Sequence, residues 1–253
     1  MTYRPLLTAR GVVLAVAVAL AAGACGSSSA TSSTTTTPSA TTSAKATASG
    51  PLVGLFKLDP GACGATGYTS GSYFKMVMPG GDLEQGKFFA DPDSTCADKN
   101  FILITPGSDG GLSTVDYQPR PAPPFDGSGN ALASRIIQPE LFTGIKFSVS
   151  SNPVEPQTNA SVPKPSITVN DGKLTGNVQA LTGEWNKQAF SQGSPKPDGS
   201  LPGLTRAVTG TYDASTGHYS LTWSSQISGG PFNDFTGLWH LEGTFVRRGT
   251  AGA

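Results

Sequence analysis

Residues 210–226, GTYDASTGHYSLTWSSQ, followed at 235–246 by FTGLWHLEGTFV, carry the pattern that decides the fold. In the first stretch Tyr219, Leu221 and Trp223 alternate with Ser220, Thr222 and Ser224. A strand turns successive side chains to opposite faces, so this two-residue period describes a strand with one buried and one polar face. In the second, Trp239, Leu241 and Phe245 share a face with Gly243 between them, while His240, Glu242 and Thr244 take the other. The segment from Tyr212 to His218 reads as a hairpin loop, with Asp213 opening a type I turn and Gly217 at positive φ. An antiparallel sheet with one face on the core and one face toward solvent or a groove follows.

Working outward, similar runs occur at 52–58, 72–78, 101–105, 144–150, 167–169, 174–180 and 207–212, bounded by Gly, Pro, Asn and Asp. Only 131–138 has the spacing of a short helix, which Pro139 would stop. The expected fold is all-β: a single antiparallel β-sandwich or partly closed barrel with long Pro/Gly loops. Thr-Gly recurs at 143, 175, 182, 209 and 236, each glycine marking a bulge or bend where a strand enters a sheet. Three stretches are irregular: 118–125 (QPRPAPPF), 151–165, and 192–202 (QGSPKPDGSLP). Long loops on a β scaffold are where binding concentrates, although proline also simply stiffens exposed connections.

The amino terminus has a different character. Arg4 and Arg10 precede or open an apolar run at 11–22 (GVVLAVAVALAA). A dozen apolar residues are too few to cross a hydrocarbon core of ~30 Å as a helix, but they suit the central part of a secretion signal. The run ends Leu20-Ala21-Ala22-Gly23-Ala24-Cys25 and turns abruptly polar. It resembles the bacterial lipobox, with Ala22 where leucine is most favoured. The resemblance implies a bacterial lipoprotein acylated at Cys25, which becomes the first mature residue. Ordinary cleavage near Ala24 is the alternative. Two or more acyl chains hold a protein stably at a membrane without a spanning helix. Residues 1–24 are therefore read as signal peptide, 25–50 as the lipidated cysteine and a disordered Ser/Thr-rich linker, 51–248 as the extracytoplasmic β domain, and 249–253 as a flexible tail. The expected location is the cell membrane, lipid-anchored, on its extracytoplasmic face.

Residues 51–248 hold all 17 acidic side chains and 14 of the basic ones, a net charge of −3. Such a surface lacks the basic footprint of nucleic-acid binding, and that class is excluded. Setting Cys25 aside leaves Cys63 and Cys96, a lone pair in an oxidising compartment, so a disulfide is expected.

Catalytic signatures are sparse. The serine of Gly67-Tyr68-Thr69-Ser70-Gly71 comes one place too late for a nucleophile elbow. No metal-protease, Walker or dinucleotide motif stands in its required context, so no cofactor or metal is expected. Asp91, Asp93, Thr95 and Asp98, and separately Asp126, Ser128 and Asn130, alternate oxygen ligands as calcium loops do, but turn chemistry explains both. His240 and Glu242, on one strand face, are candidates for an acid–base or metal pair, and with Trp185 for binding contacts, although a hydrogen-bonded pair at a groove edge is the commoner arrangement. Segments such as SGSYFKMVMPGG (70–81), SDGGLST (108–114), QGSPKPDGS (192–200) and GGPFNDFTGLWHLEGTF (229–245) resemble secreted actinobacterial proteins of unknown function, which implies an envelope location and no activity. The expectation is a non-enzymatic envelope module binding a small molecule, glycan or envelope protein. The rivals are a hydrolase using carboxylates such as Glu184 or Glu242, and a purely structural lipoprotein.

Overall fold

The structure, a computed structural model, describes residues 48–249. Cys25, the signal and most of the linker lie outside the described residues. In chain order the strands are β1 (Ser49–Pro51), β2 (Gly54–Leu58), β3 (Ala62–Gly64), β4 (Gly67–Ser70), β5 (Tyr73–Asp82), β6 (Gly86–Phe88), β7 (Ile102–Leu103), β8 (Gly111–Ser113) and β9 (Glu140–Phe142). They continue as β10 (Ile145–Ser151), β11 (Ser166–Asn170), β12 (Lys173–Asn177), β13 (Leu181–Trp185), β14 (Gln188–Ser191), β15 (Arg206–Tyr212), β16 (His218–Gln226) and β17 (Thr236–Arg247). Among the described residues the only helical element is a 3-10 turn at Gly230–Phe232.

The fold is all-β and antiparallel. A large sheet runs β1-β11-β12-β15-β16-β17-β2-β8 and curls into a half-barrel. The long strand β17 produces the split at its far edge: Thr236–His240 pair with β5, whereas Gly243–Arg247 pair with β2. A smaller sheet, β14-β13-β10-β9, covers the large one, and β3–β4 form a separate hairpin.

Alternation in β16 and β17 holds in three dimensions. Tyr219, Leu221, Trp223, Trp239, Leu241 and Phe245 are all buried in one apolar cluster with Phe147, Val149, Leu181 and Phe190 of the smaller sheet. Phe74 of β5 joins the layers, its ring 4.5 Å from Trp239 and 5.6 Å from Phe147. The hairpin at 213–217 closes as expected, with the Gly217 amide donating to Asp213 O and Gly217 at φ 76°. Gly210 shows why a strand carries glycine: a Cβ there would lie 1.9 Å from the Ser220 carbonyl oxygen on β16. Close approach of a neighbouring backbone is one of the standard reasons for a glycine in a strand.

Three features differ from the expectation. Residues 131–138 form no helix. Ala131 and Ile137 instead make single bridges to Phe125 and Pro106, and the Gln138 amide donates to Thr105 O. Burial of Ala131, Ala133, Ile136 and Ile137 in the core outweighs a weak local preference. Second, β1 takes Ser49 and Gly50, read as linker, into the large sheet opposite Asn170 and Val169. Edge pairing needs only main-chain groups, which a sequence without apolar residues also supplies. Third, β13 and β14 lie outside the expected strands: alternation there is only a few residues long, and the polar Thr182 and Glu184 are buried like their apolar neighbours.

Candidate functional site

His240 and Glu242 project from the outer face of β17, as expected, but they are not free there. Glu242 Oε2 accepts the Gly71 amide at 3.2 Å and lies 3.5 Å from His240 Nε2. Its Oε1 lies 3.3 Å from Nε2 of His218, so both histidines of the chain converge on one carboxylate. The register explains this: Thr244 pairs with His218, which puts Glu242 at the diagonal position on the same face. The alternation alone did not single out His218. His240 stacks on Tyr73 at 4.8 Å, Tyr73 packs against Tyr68 at 4.7 Å, and Tyr68 stacks on Phe101. Burial first, then the nearby Glu242 charge, pushes the Tyr68 phenol up to about 12. Burial pulls His240 below its usual value despite Glu242. This group fastens a cap to the sheet. The cap consists of the β3–β4 hairpin and the 89–101 loop, joined by the Cys63–Cys96 disulfide with Cα atoms 5.5 Å apart.

Trp185 lies elsewhere, between the sheets. Its indole N–H donates to Phe142 O at 2.8 Å, and its ring packs 5.0 Å from Phe232. With Phe74, Phe142, Phe147, Phe190 and Trp239 it walls an apolar cavity of about 40 Å³. That is far below the size of a small-molecule site.

The outward face of the smaller sheet carries a buried polar layer. Ser150 Oγ donates to Glu184 Oε1 at 2.6 Å and accepts from Asn152 Nδ2 at 2.9 Å, while Glu184 Oε2 has no partner. Burial raises the Glu184 carboxyl to about 7, against the Ser150 hydrogen bond and the Arg120 charge. A folded-state value above the ordinary 4.5 means the unfolded chain releases this proton first. Its contribution to stability is therefore complete below pH ~4.5 and lost as pH rises through ~7, a difference of about 3 kcal/mol at most. Glu184→Gln should abolish that slope. Urea unfolding at pH 5 and pH 7.5 checks it, because parallel changes in variant and parent would show that the carboxyl does not titrate in this window.

Two of the long proline-bearing loops come together. Residues 155–160 and 196–202 flank a cleft of about 490 Å³ lined by Gln157, Thr158, Ala160, Ser191, Lys196, Pro197, Asp198, Ser200, Pro202 and Ser228. Lys196 is only 8% exposed. Its Nζ donates to Ser191 O at 2.8 Å and Ser225 Oγ at 2.7 Å. Burial lowers its ammonium to about 8, opposed by the charges of Glu155 and Asp198. Ser191 is 4% exposed and its hydroxyl has no hydrogen-bond partner. The loops are built in place from the core. Gln192 O accepts from the Trp223 indole and Gln192 Oε1 from the Trp239 indole, both at 3.0 Å. Gln157 Oε1 accepts the Ser191 amide at 2.8 Å, and Gln179 Nε2 donates to Lys196 O at 2.7 Å. The loops themselves were legible as binding candidates; Lys196 was not, since Ser225 beneath it comes from a distant strand.

A second cleft, about 430 Å³, lies between the 93–95 loop and β9, with Glu140 and Lys146 among its walls. Glu140 is engaged there by the Thr105 amide and Asp93 by the Gly144 amide. Asp91 and Asp126 bind backbone amides of their own or neighbouring turns, as turn chemistry predicts. Among the described residues no group of three or more His, Cys, Asp or Glu is placed to hold a metal ion. Comparison with protein-family models, curated proteins and solved structures returned no match.

Proposed function

We propose that the protein is a lipid-tethered, non-enzymatic binding module of the bacterial cell envelope, whose small-molecule ligand occupies the cleft between residues 155–160 and 196–202. The observation that carries this is the cleft floor, where a nearly buried lysine keeps one ammonium proton that the protein does not pair. An unpaired donor is costly when buried, and a ligand that accepts from it recovers that cost. The volume also falls within the usual range for small-molecule sites. Location rests on the lipobox-like LAAGAC at 20–25 and the short apolar run before it. Hydrolysis by Glu184 or Glu242 has less support: Glu184 lies buried beneath loops, and both oxygens of Glu242 are engaged by the cap and the histidines.

Cys25→Ala should move the protein from the membrane fraction to the soluble fraction, because acyl chains are its anchor. The soluble protein is then incubated with a small-molecule extract of the envelope, separated by gel filtration and denatured for mass spectrometry. A species retained by the Cys25→Ala protein and lost when Asp198→Asn is added is the expected result. No retained species, or one that ignores the cleft variant, would sink the assignment.

A further inference from the structure

The cleft's free polar groups also constrain what it takes. Lys196 is the single cation among the cleft's lining residues, and two carboxylates act on its charge, the buried Glu155 and the exposed Asp198. Glu155 is fully buried and committed to Gln157 N, Thr158 N, Thr158 Oγ1 and Thr182 Oγ1. An anion entering here would gain one ammonium and meet two negative charges. A cation would meet the ammonium first. Neither sign of charge is matched.

What remains is a mixed set of donors and acceptors. Two of the three Lys196 ammonium protons are used within the protein, leaving one. Ser191 Oγ is also unpaired, but it is sealed from the cleft and does not count toward a ligand. Asp198 Oδ1 takes both the amide and the hydroxyl of Ser200, which leaves Oδ2 as an acceptor. Thr158 and Ser200 each donate their hydroxyl proton to a carboxylate; Ser200 Oγ keeps its lone pairs, and Thr158 Oγ1, which also takes the Ala160 amide, keeps one. Hydroxyl groups suit such a set, because each can accept from the lysine and donate to a carboxylate or hydroxyl oxygen. Pro197, Pro202 and Ala160 supply an apolar wall for the C–H face of a ring. Resting on the cleft as the binding site, we infer that the ligand is an uncharged, hydroxyl-rich molecule, a sugar unit, and not an organic or inorganic anion.

The test uses the soluble Cys25→Ala protein, labelled with ¹⁵N and titrated separately with maltose, N,N′-diacetylchitobiose, inorganic phosphate and succinate. Amide shifts of residues 157–160 and 191–200 are the readout. A saturable shift by either disaccharide, weakened at least tenfold by Asp198→Asn, is the expected result. Asp198 is exposed, so this variant leaves the fold unthreatened, and Lys196→Met provides a second, buried probe. Saturation by phosphate or succinate alone would overturn the inference while leaving the cleft as a binding site. Silence from all four probes also overturns it. If the envelope extract still yields a cleft-dependent species, that silence removes only the sugar assignment; if it yields none, the binding function falls as well.

Discussion

Trp239→Ala is expected to lower the free energy of unfolding by about 3–5 kcal/mol, the usual cost of emptying a large aromatic site in a core. Trp239 is 3% exposed, stacks on Trp223 at 5.9 Å and contacts Phe74 and Phe147. Truncation would leave a void between the two sheets and strip Gln192 Oε1 of its donor. An effect this large consumes a substantial part of the 5–15 kcal/mol that typically separates folded from unfolded. Equilibrium urea unfolding followed by circular dichroism measures it. A loss below about 1 kcal/mol would mean that β17 does not turn this face inward.

Removing the Cys63–Cys96 bridge has the next largest expected effect. The bond spans 33 residues, and closing a loop of that length restricts the unfolded chain by about 3–4 kcal/mol in the chain-entropy view. In the folded state the loss is local. The β3–β4 hairpin would then be held by Tyr68, by its contacts with Tyr73 and Phe101, and by the Gly71 amide on Glu242. The Cys63→Ser/Cys96→Ser protein should therefore unfold at lower urea, and hydrogen exchange should speed first in residues 62–70. Unchanged stability, with exchange as slow as in the parent, would show that the aromatic stack alone holds the cap.

The legible part of the fold was the part where one strand face is apolar and the other polar. In β16 and β17, Tyr219, Trp223, Trp239 and Leu241 alternate with Ser, Thr, His and Glu, and a core on one side gives that pattern directly. The smaller sheet breaks the correspondence. Ser148, Ser150, Thr182 and Glu184 look like solvent-facing positions, yet loops cover them and they are buried. At 131–138 apolar spacing suggested a helix, but long-range bridges to Pro106 and Phe125 determined the backbone. The candidate sites divide in the same way. His240 and Glu242 share a face because they are two residues apart on one strand, which local sequence reports. Lys196 is buried because Ser191 and Ser225 lie beneath it, and that meeting of separate strands has no local signature.

Gln192 gives the loop that follows it a particular freedom to evolve. Everything the core requires of this segment ends early: two indoles bind Gln192, and Lys196 is held at both its ammonium and its carbonyl. Residues 198–202 are exposed and, apart from Gly199 at φ 84° and the Ser200 carbonyl that accepts the Lys196 amide, contribute little to that framework, so side-chain exchanges at the other positions cost little stability. Under the proposed binding role, ligand preference and foldability are encoded in adjacent but separate stretches of chain. The rim of the cleft can thus be rewritten within one short turn without repacking the two sheets beneath it.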